Sequence, residues 1–307
     1  MERWPDDAGP KPGARRSNPG AEGSRPMLGA LAGFTIVTGD LDGAMHAYAT
    51  FLSYRCDAVM RVSPDQAALW RAPSLAGSRQ AVLRPASRHP RFIRLIEHRQ
   101  AASYRPLCSL GWNAIEIVVQ SLDDVARKLA GSPFRVLGAP EVLDLGFTDK
   151  IRAMQVAGPA GEVLYLTEIG GEIPGFALPA AASPVDCAFV AVLGAASLER
   201  SAGFYATACG SPAGPALAAR IACLSDAHGM SAETRHALAT VSLPSASLIE
   251  IDAYPATATA RPLTPCGVPA GIGFVSFASP ADSPARLLTG PDSEWIEILP
   301  TGDPLLC

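Results

Sequence analysis

One phrase is written twice in this chain, as GPAGEVLYL at residues 158–166 and GPDSEWIEI at residues 290–298, 132 residues apart. Each copy opens on Gly-Pro, places a glutamate fifth (Glu162, Glu294) and runs into an alternating apolar strand. A second duplication sets LDGAMHAYAT (41–50) over LERSAGFYAT (198–207), sharing a leading leucine, an acidic residue and Tyr-Ala-Thr at an offset of 157. A third aligns Glu97 of LIEH with Glu250 of LIEI at an offset of 153. A chain that repeats one small unit must bury each unit's open face against another, so the repeat constrains the fold more than composition does.

The units can be read one by one. FTIVT (34–38) is β-branched and short, and the helix after it takes Asp40 as N-cap, with Leu41, Ala44, Tyr48, Phe51 and Leu52 at helical spacing. RFIRLIEH (91–98) closes that unit. AIEIVV (114–119) opens the second, whose helix is capped by Ser121 or Asp123, shows Leu122, Val125 and Leu129 on one face, and leads to the closing strand VLYLTEI (163–169). The third runs from CAFVAVL (187–193) through a helix over 197–209 to ATVSLP and SLIEID, split by a Pro-Ser turn. The fourth is shortened: GIGFVSF (271–277), a short helix over PADSPARLL (280–288), then the second Gly-Pro phrase. The expectation is an α+β protein of four βαβββ units paired into two open, barrel-like cups.

Breaks in the pattern give boundaries. Residues 1–26, rich in Pro, Gly and charge, read as a disordered leader, with Met27 a candidate natural start. The Pro- and Ala-rich stretch 171–184 reads as a linker between a 27–170 pair and a 185–300 pair, and 301–307 as a tail. A formal charge of −4 leaves no electrostatic footprint for nucleic acid, and no apolar run reaches membrane-spanning length. Seven scattered cysteines without a CxxC pair fit a reducing cytoplasm. The expected partner is a small molecule; the assembly stays open between a homodimer and a monomer already complete with four units.

The order of these pieces, an opening strand leading to Asp-Leu-Asp, a helix with Tyr-x-x-x-Leu and a closing strand written Gly-Pro-x-Gly-x-x-x-Glu-or-Tyr, resembles the vicinal oxygen chelate superfamily over about residues 28–300. That group contains glyoxalase I, fosfomycin and bleomycin resistance proteins and extradiol dioxygenases. The second closing phrase departs from the pattern, having Ser293 for Gly. The resemblance implies a divalent metal (Fe, Mn or Zn) held by histidine on opening strands and glutamate on closing strands. Here the opening positions offer Gly33, Asn113 or Ala114, Cys187, and Gly271 or Ile272; the closing positions offer Glu97, Tyr165, Glu250 and Glu297. No imidazole stands among them. His46, His89, His228 and His236 lie away from these positions, and His98 follows Glu97 on the opposite strand face.

Strand parity then assigns roles. Glu116 shares a face with the vacated ligand position, so Glu97, Glu116, Tyr165 and Gln155 are expected to meet in the first cup, the carboxylates as base and acid and the phenol and amide as oxyanion donors. His98, Trp112, Arg94 and Arg152 are candidates for substrate binding. No cofactor is expected; a retained metal would rest on Glu97, or on Cys187, Glu250 and Glu297. Three functions remain open: metal-independent proton abstraction on a small aromatic or keto-acid-like metabolite, by a lyase or isomerase; a metal-dependent dioxygenase or glyoxalase-like enzyme; and a small-molecule binder without chemistry.

Overall fold

The computed structural model describes residues 26–280 and 283–306, so nearly all of the expected leader lies outside the described residues. The first unit comprises β1 (Leu31–Thr38), α1 (Leu41–Leu52), β2 (Tyr54–Arg61), α2 (Pro64–Leu69), β3 (Arg79–Pro85) and β4 (Phe92–Glu97). The second comprises β5 (Gly111–Val119), α3 (Leu122–Leu129), β6 (Arg135–Val142), β7 (Ile151–Ala157) and β8 (Val163–Ile169). The third holds β9 (Val185–Ala195), α4 (Leu198–Cys209), β10 (Leu217–Arg220), α5 (Ala222–Ala227), β11 (Arg235–Leu243) and β12 (Ser247–Ala253), and the fourth β13 (Ile272–Ala278), β14 (Arg286–Thr289) and β15 (Trp295–Leu299). The caps follow the sequence: Asp40 accepts from the Gly43 N–H and Ser121 from the Asp124 N–H. The short helix expected over 280–288 gives way to β14, whose strand begins two residues beyond Pro284, a residue that has no N–H to give a helix. No helix among the described residues is long and apolar enough to cross a membrane.

Two curled mixed sheets result. One has the order β14-β15-β13-β1-β4-β3-β2 and the other β10-β11-β12-β9-β5-β8-β7-β6. Unit one therefore pairs with unit four, through antiparallel β1 and β13, and unit two with unit three, through antiparallel β5 and β9. This corrects the pairing of sequence neighbours expected from the linker: neither 27–170 nor 185–300 builds a cup of its own. An opening strand presents an unpaired edge, which any other opening strand can satisfy, so the pattern of one unit does not choose the partner. The tail is docked too, with Leu305 and Leu306 packed on a small cluster around Phe92 and the Leu305 carbonyl accepting from Arg84 at 3.0 Å.

The largest apolar cluster gathers the helix-side faces of both sheets together with α1, α3 and α4, leaving the two concave faces turned away from it. The duplicated sequence phrases cross this core. Tyr48 on α1 donates its buried hydroxyl to Glu162 Oε1 at 2.8 Å, and Tyr205 on α4 donates to Glu294 Oε1 at 2.6 Å. The other carboxylate oxygens accept backbone N–H groups of their own turns, from Ala160 at 2.9 Å and Asp292 at 2.8 Å. A Cβ at Gly158 would lie 2.1 Å from Glu162 Oε1, and one at Gly290 1.9 Å from Glu294 Oε1, so both glycines are fixed by the carboxylate folded over them. Each Tyr–Glu bond joins a helix of one sheet to a closing strand of the other. Burial raises the pKa of Glu162 and of Glu294 to about 7.

Removing either phenol strands a buried carboxyl without its donor. Tyr48→Phe and Tyr205→Phe are each expected to destabilise by about 1–3 kcal/mol, with near-additive effects in the double variant, read from denaturant unfolding curves.

Candidate functional site

Both cups carry carboxylates, and they have opposite fates. In the cup of units one and four, β4 alternates so that Phe92, Arg94 and Ile96 face inward while Ile93 and Leu95 join the central core. Arg94 is 1% exposed; its Nη2 donates to Glu297 Oε2 at 2.5 Å and its Nε to Thr35 Oγ1 at 2.9 Å. Glu297 also accepts from Ser276 Oγ at 2.6 Å and from Trp70 Nε1 at 2.6 Å, and the guanidinium lies 4.6 Å from the centroid of the Trp70 ring. Trp70, Leu75, Val268 and Phe274 fill the remaining space. A carboxylate at the position where the resemblance implies a metal ligand is here neutralised by the protein's own cation. At Gly33, a Cβ would meet the Phe92 ring at 2.6 Å, so no imidazole fits there.

The alternation of β4 also corrects the place of Glu97. It ends the strand on the helix side, a third exposed, and pairs with Arg79 at 3.5 Å, next to the tighter Arg79–Asp42 pair at 2.7 Å. It does not meet Glu116. His98 lies just past the strand end, half-buried, with its N–H bonded to the Thr38 carbonyl and its ring away from the open cavity described next. Trp112 is core: 1% exposed, it donates Nε1 to the Trp295 carbonyl at 2.8 Å and packs near Tyr205 and Phe277. Arg152 points outward to Asp123 at 2.9 Å and Glu168 at 3.4 Å. Cys187 is buried below Arg91, 3.9 Å from its Nη1, and burial pushes the thiol pKa up.

The cup of units two and three is open. Its cavity, about 1000 Å³ with the mouth included, is walled mainly by apolar side chains, and Glu116, Gln155, Tyr165 and Glu250 converge on it. Three of the four expected catalytic residues are thus brought together, and Glu250 of unit three takes the place expected for Glu97. Register explains the grouping: Glu116 on β5 stands beside Tyr165 on β8, which stands beside Gln155 on β7. On the far side, a register irregularity in β9 opposite Glu116 and Ile117 turns both Phe189 and Val190 toward the cup. Part of the expected linker supplies the wall, since Phe176 and Leu178 line the cavity and Phe176 stacks on Phe147 at 5.7 Å between centroids. At the mouth, Asp144 of unit two pairs with Arg235 at 2.6 Å and Arg220 at 3.4 Å, both of unit three.

The electrostatics of this cup follow from burial. Glu116 is 8% exposed and accepts from Thr167 Oγ1 at 2.7 Å; desolvation, then the charge of Glu250, raise its pKa to about 8. Glu250 is raised well above the ordinary carboxylate range by burial and by Asp252, two residues along the same strand face. Both Asp252 oxygens are buried and accept nothing from any N–H or hydroxyl. Burial, and after it the charge of Glu116, raise the Asp252 pKa to about 7. Tyr165 lies 3.8 Å from Cys223 Sγ, and burial holds its phenol neutral.

As a metal site this donor set is unsuitable. The opening positions give Ala114 and Cys187, the latter taken up by Arg91, and among the described residues no three His, Cys, Asp or Glu side chains stand where they could hold an ion. Buried, protonated carboxyls without an imidazole make a poor site for Fe or Zn. Thr167, Cys223 and Phe176 went unseen in the sequence reading. The Glu-x-Asp alternation of 250 and 252 was legible there, but its partner across the cup was not.

No protein-family profile matches this chain, and no curated protein is similar to it in sequence. Among solved structures it is similar to glyoxalase I from Zea mays, at 12% identity over 88% of this chain and 92% of that one, with a TM-score of 0.56. It is also similar to a Bacillus subtilis protein provisionally named a dioxygenase, at 11% identity over 91% and 87%, with a TM-score of 0.58. At such identities the likeness establishes the fold: four modules of the glyoxalase and dioxygenase type in one chain.

Two outcomes follow. Arg94→Met, which leaves Glu297 buried and unpaired, is expected to cost about 3–5 kcal/mol, and Arg94→Met with Glu297→Leu to recover most of it, read by denaturant unfolding. The raised carboxyls set the pH dependence. Below the ordinary value of 4.5 they are neutral folded and unfolded, and their contribution is complete; above it the unfolded chain ionises while the folded one resists, to about 7 for Glu162 and Glu294 and about 8 for Glu116. Stability should therefore fall as pH rises through that window, and Glu116→Gln should flatten the upper part of the fall in Tm against pH.

Proposed function

We propose that this protein is an enzyme of the vicinal oxygen chelate type whose chemistry lies in the cup of units two and three: metal-independent proton abstraction from a small, largely apolar, oxygenated substrate. The observation that carries the reading is a buried carboxyl with a pKa of about 8 facing a cavity beside two neutral hydrogen-bond donors, Gln155 and Tyr165. Glu116, once ionised, takes a proton from a carbon next to a carbonyl. The C–H electron pair moves into the carbonyl, and the Gln155 amide and Tyr165 hydroxyl bond the resulting enolate oxygen. Glu116 returns the proton to the same or a neighbouring atom, an isomerisation, or a leaving group departs from the next carbon, an elimination. Thr167 holds one oxygen of Glu116 and so leaves the other to act as base.

Keto-acid substrates lose support. The arginines expected to anchor a carboxylate, Arg94 and Arg152, face Glu297 and the outer surface respectively. The fold's other common use, metal-dependent chemistry, lacks its imidazoles in this cup.

A screen of small ketones and aldehydes in D₂O, with a chelator present, tests the reading by deuterium exchange at the carbon next to the carbonyl, followed by NMR. Wild type is expected to exchange a subset of them, with a rate that climbs about tenfold per pH unit up to about pH 8 and then levels as Glu116 finishes ionising. Glu116→Gln should lose at least about a hundredfold. Exchange abolished by the chelator, or intact in Glu116→Gln, would overturn it.

A further inference from the structure

We propose that the ligand of the open cup carries one positively charged nitrogen on an apolar body, and that this nitrogen is received by Glu116 and Glu250, with Asp252 buried next to Glu250 on the same strand. The inference rests on the open cup being the functional site, and adds the charge of what enters it.

The first support is the charge of the wall. Glu116, Glu141, Asp144 and Glu250 line the cavity, and the one cation among its lining residues, Arg220, is engaged at the mouth by Asp144 and by Glu233 at 3.4 Å each. An anion entering here would give up its hydration with no free cation to receive it, while a cation meets carboxyl groups that ionise toward it.

The second support is a set of buried polar groups without partners. Gln155 is 7% exposed and lines the cavity, and its side chain makes no hydrogen bond to another described residue. Asp252 is fully buried two residues along β12 from Glu250, and neither of its oxygens has a hydrogen-bond partner among the described residues. Folded proteins leave few such groups unmet. An ammonium brings three donors and no acceptor, matching a wall that offers carboxylate oxygens and the Gln155 carbonyl.

The third support is the rest of the lining. Ile169, Phe176, Phe189 and Leu248 enclose the space around the acidic floor and suit an apolar or aromatic body. A cation on the floor would also offset the repulsion from Glu250 that adds to burial in keeping Glu116 protonated, and so assist its ionisation.

Calorimetric titration with three probes of one shape, phenylpropylamine, phenylpropanol and hydrocinnamate, at neutral pH decides the matter. The amine is expected to bind at least about tenfold more tightly than the alcohol, and the carboxylate most weakly. Glu250→Gln and Asp252→Asn, checked for folding by their unfolding curves, should bring the amine down to the affinity of the alcohol and leave the alcohol unchanged. Equal affinity for amine and alcohol, preference for hydrocinnamate, absence of binding by all three, or an amine preference that survives both substitutions would overturn the inference; should a variant not fold, the wild-type ranking decides alone. Failure here with deuterium exchange intact leaves the proton-abstraction reading standing. An amine preference without exchange would instead make the cup a binding site for organic cations.

Discussion

Two buried phenol–carboxyl hydrogen bonds, Tyr48 to Glu162 and Tyr205 to Glu294, hold the architecture in register. Each connects a helix packed on one sheet to the turn that launches a closing strand of the other, so neither sheet can slide over the shared core without breaking both. The geometry reaches into the backbone: the carboxylate occupies the space a side chain would need at Gly158 or Gly290, and its second oxygen secures an amide of its own turn. The doubled Gly-Pro phrase is thus a structural device. Its glutamates serve the core, while the residues three places on, Tyr165 and Glu297, face the cups.

Those two residues show how one scaffold produced unequal hollows. Glu297 is met by a guanidinium, an indole and a serine, and Trp70, Leu75, Val268 and Phe274 pack around it. Across the pseudo-repeat, Tyr165 borders a space whose one lining cation, Arg220, is held at the mouth by Asp144 and Glu233, while carboxyls from β5 and β12 approach one another and retain protons. Pairing a buried charge with a partner stabilises but makes it chemically inert; leaving it unpaired costs stability and shifts its titration toward neutrality. The first cup has the character of a structural core and the second that of a site.

Much of this was legible from residues alone. The four units, the caps at Asp40 and Ser121, and the inward parity of Glu116, Tyr165 and Gln155 follow from alternation and turn chemistry, which are local. What escaped was the long-range choice of partner. Because opening strands are equivalent as edges, the short linker at 171–184 suggested that neighbours in sequence close on each other, and Glu97 was grouped with Glu116 as a result. The parity of β4 was also off by one residue: Arg94 and Ile96 rather than Glu97 turn inward, a slip that exchanges every side chain between the two faces. Phe176 shows a different limit. A Pro- and Ala-rich stretch reads as a spacer, yet it runs over the mouth of a cup and lends it an aromatic wall.

Interleaving the units has a consequence for how the chain could be divided. Since β1 borrows its neighbour from the far end of the chain and β9 borrows from the near one, a cut anywhere in 171–184 yields fragments that each expose two raw sheet edges and half of the central core. Such fragments are complementary to each other and incomplete as individuals. In a polypeptide of this topology the two halves complete one another like the subunits of a heterodimer, and the tether between them is itself part of the open cup through Phe176 and Leu178.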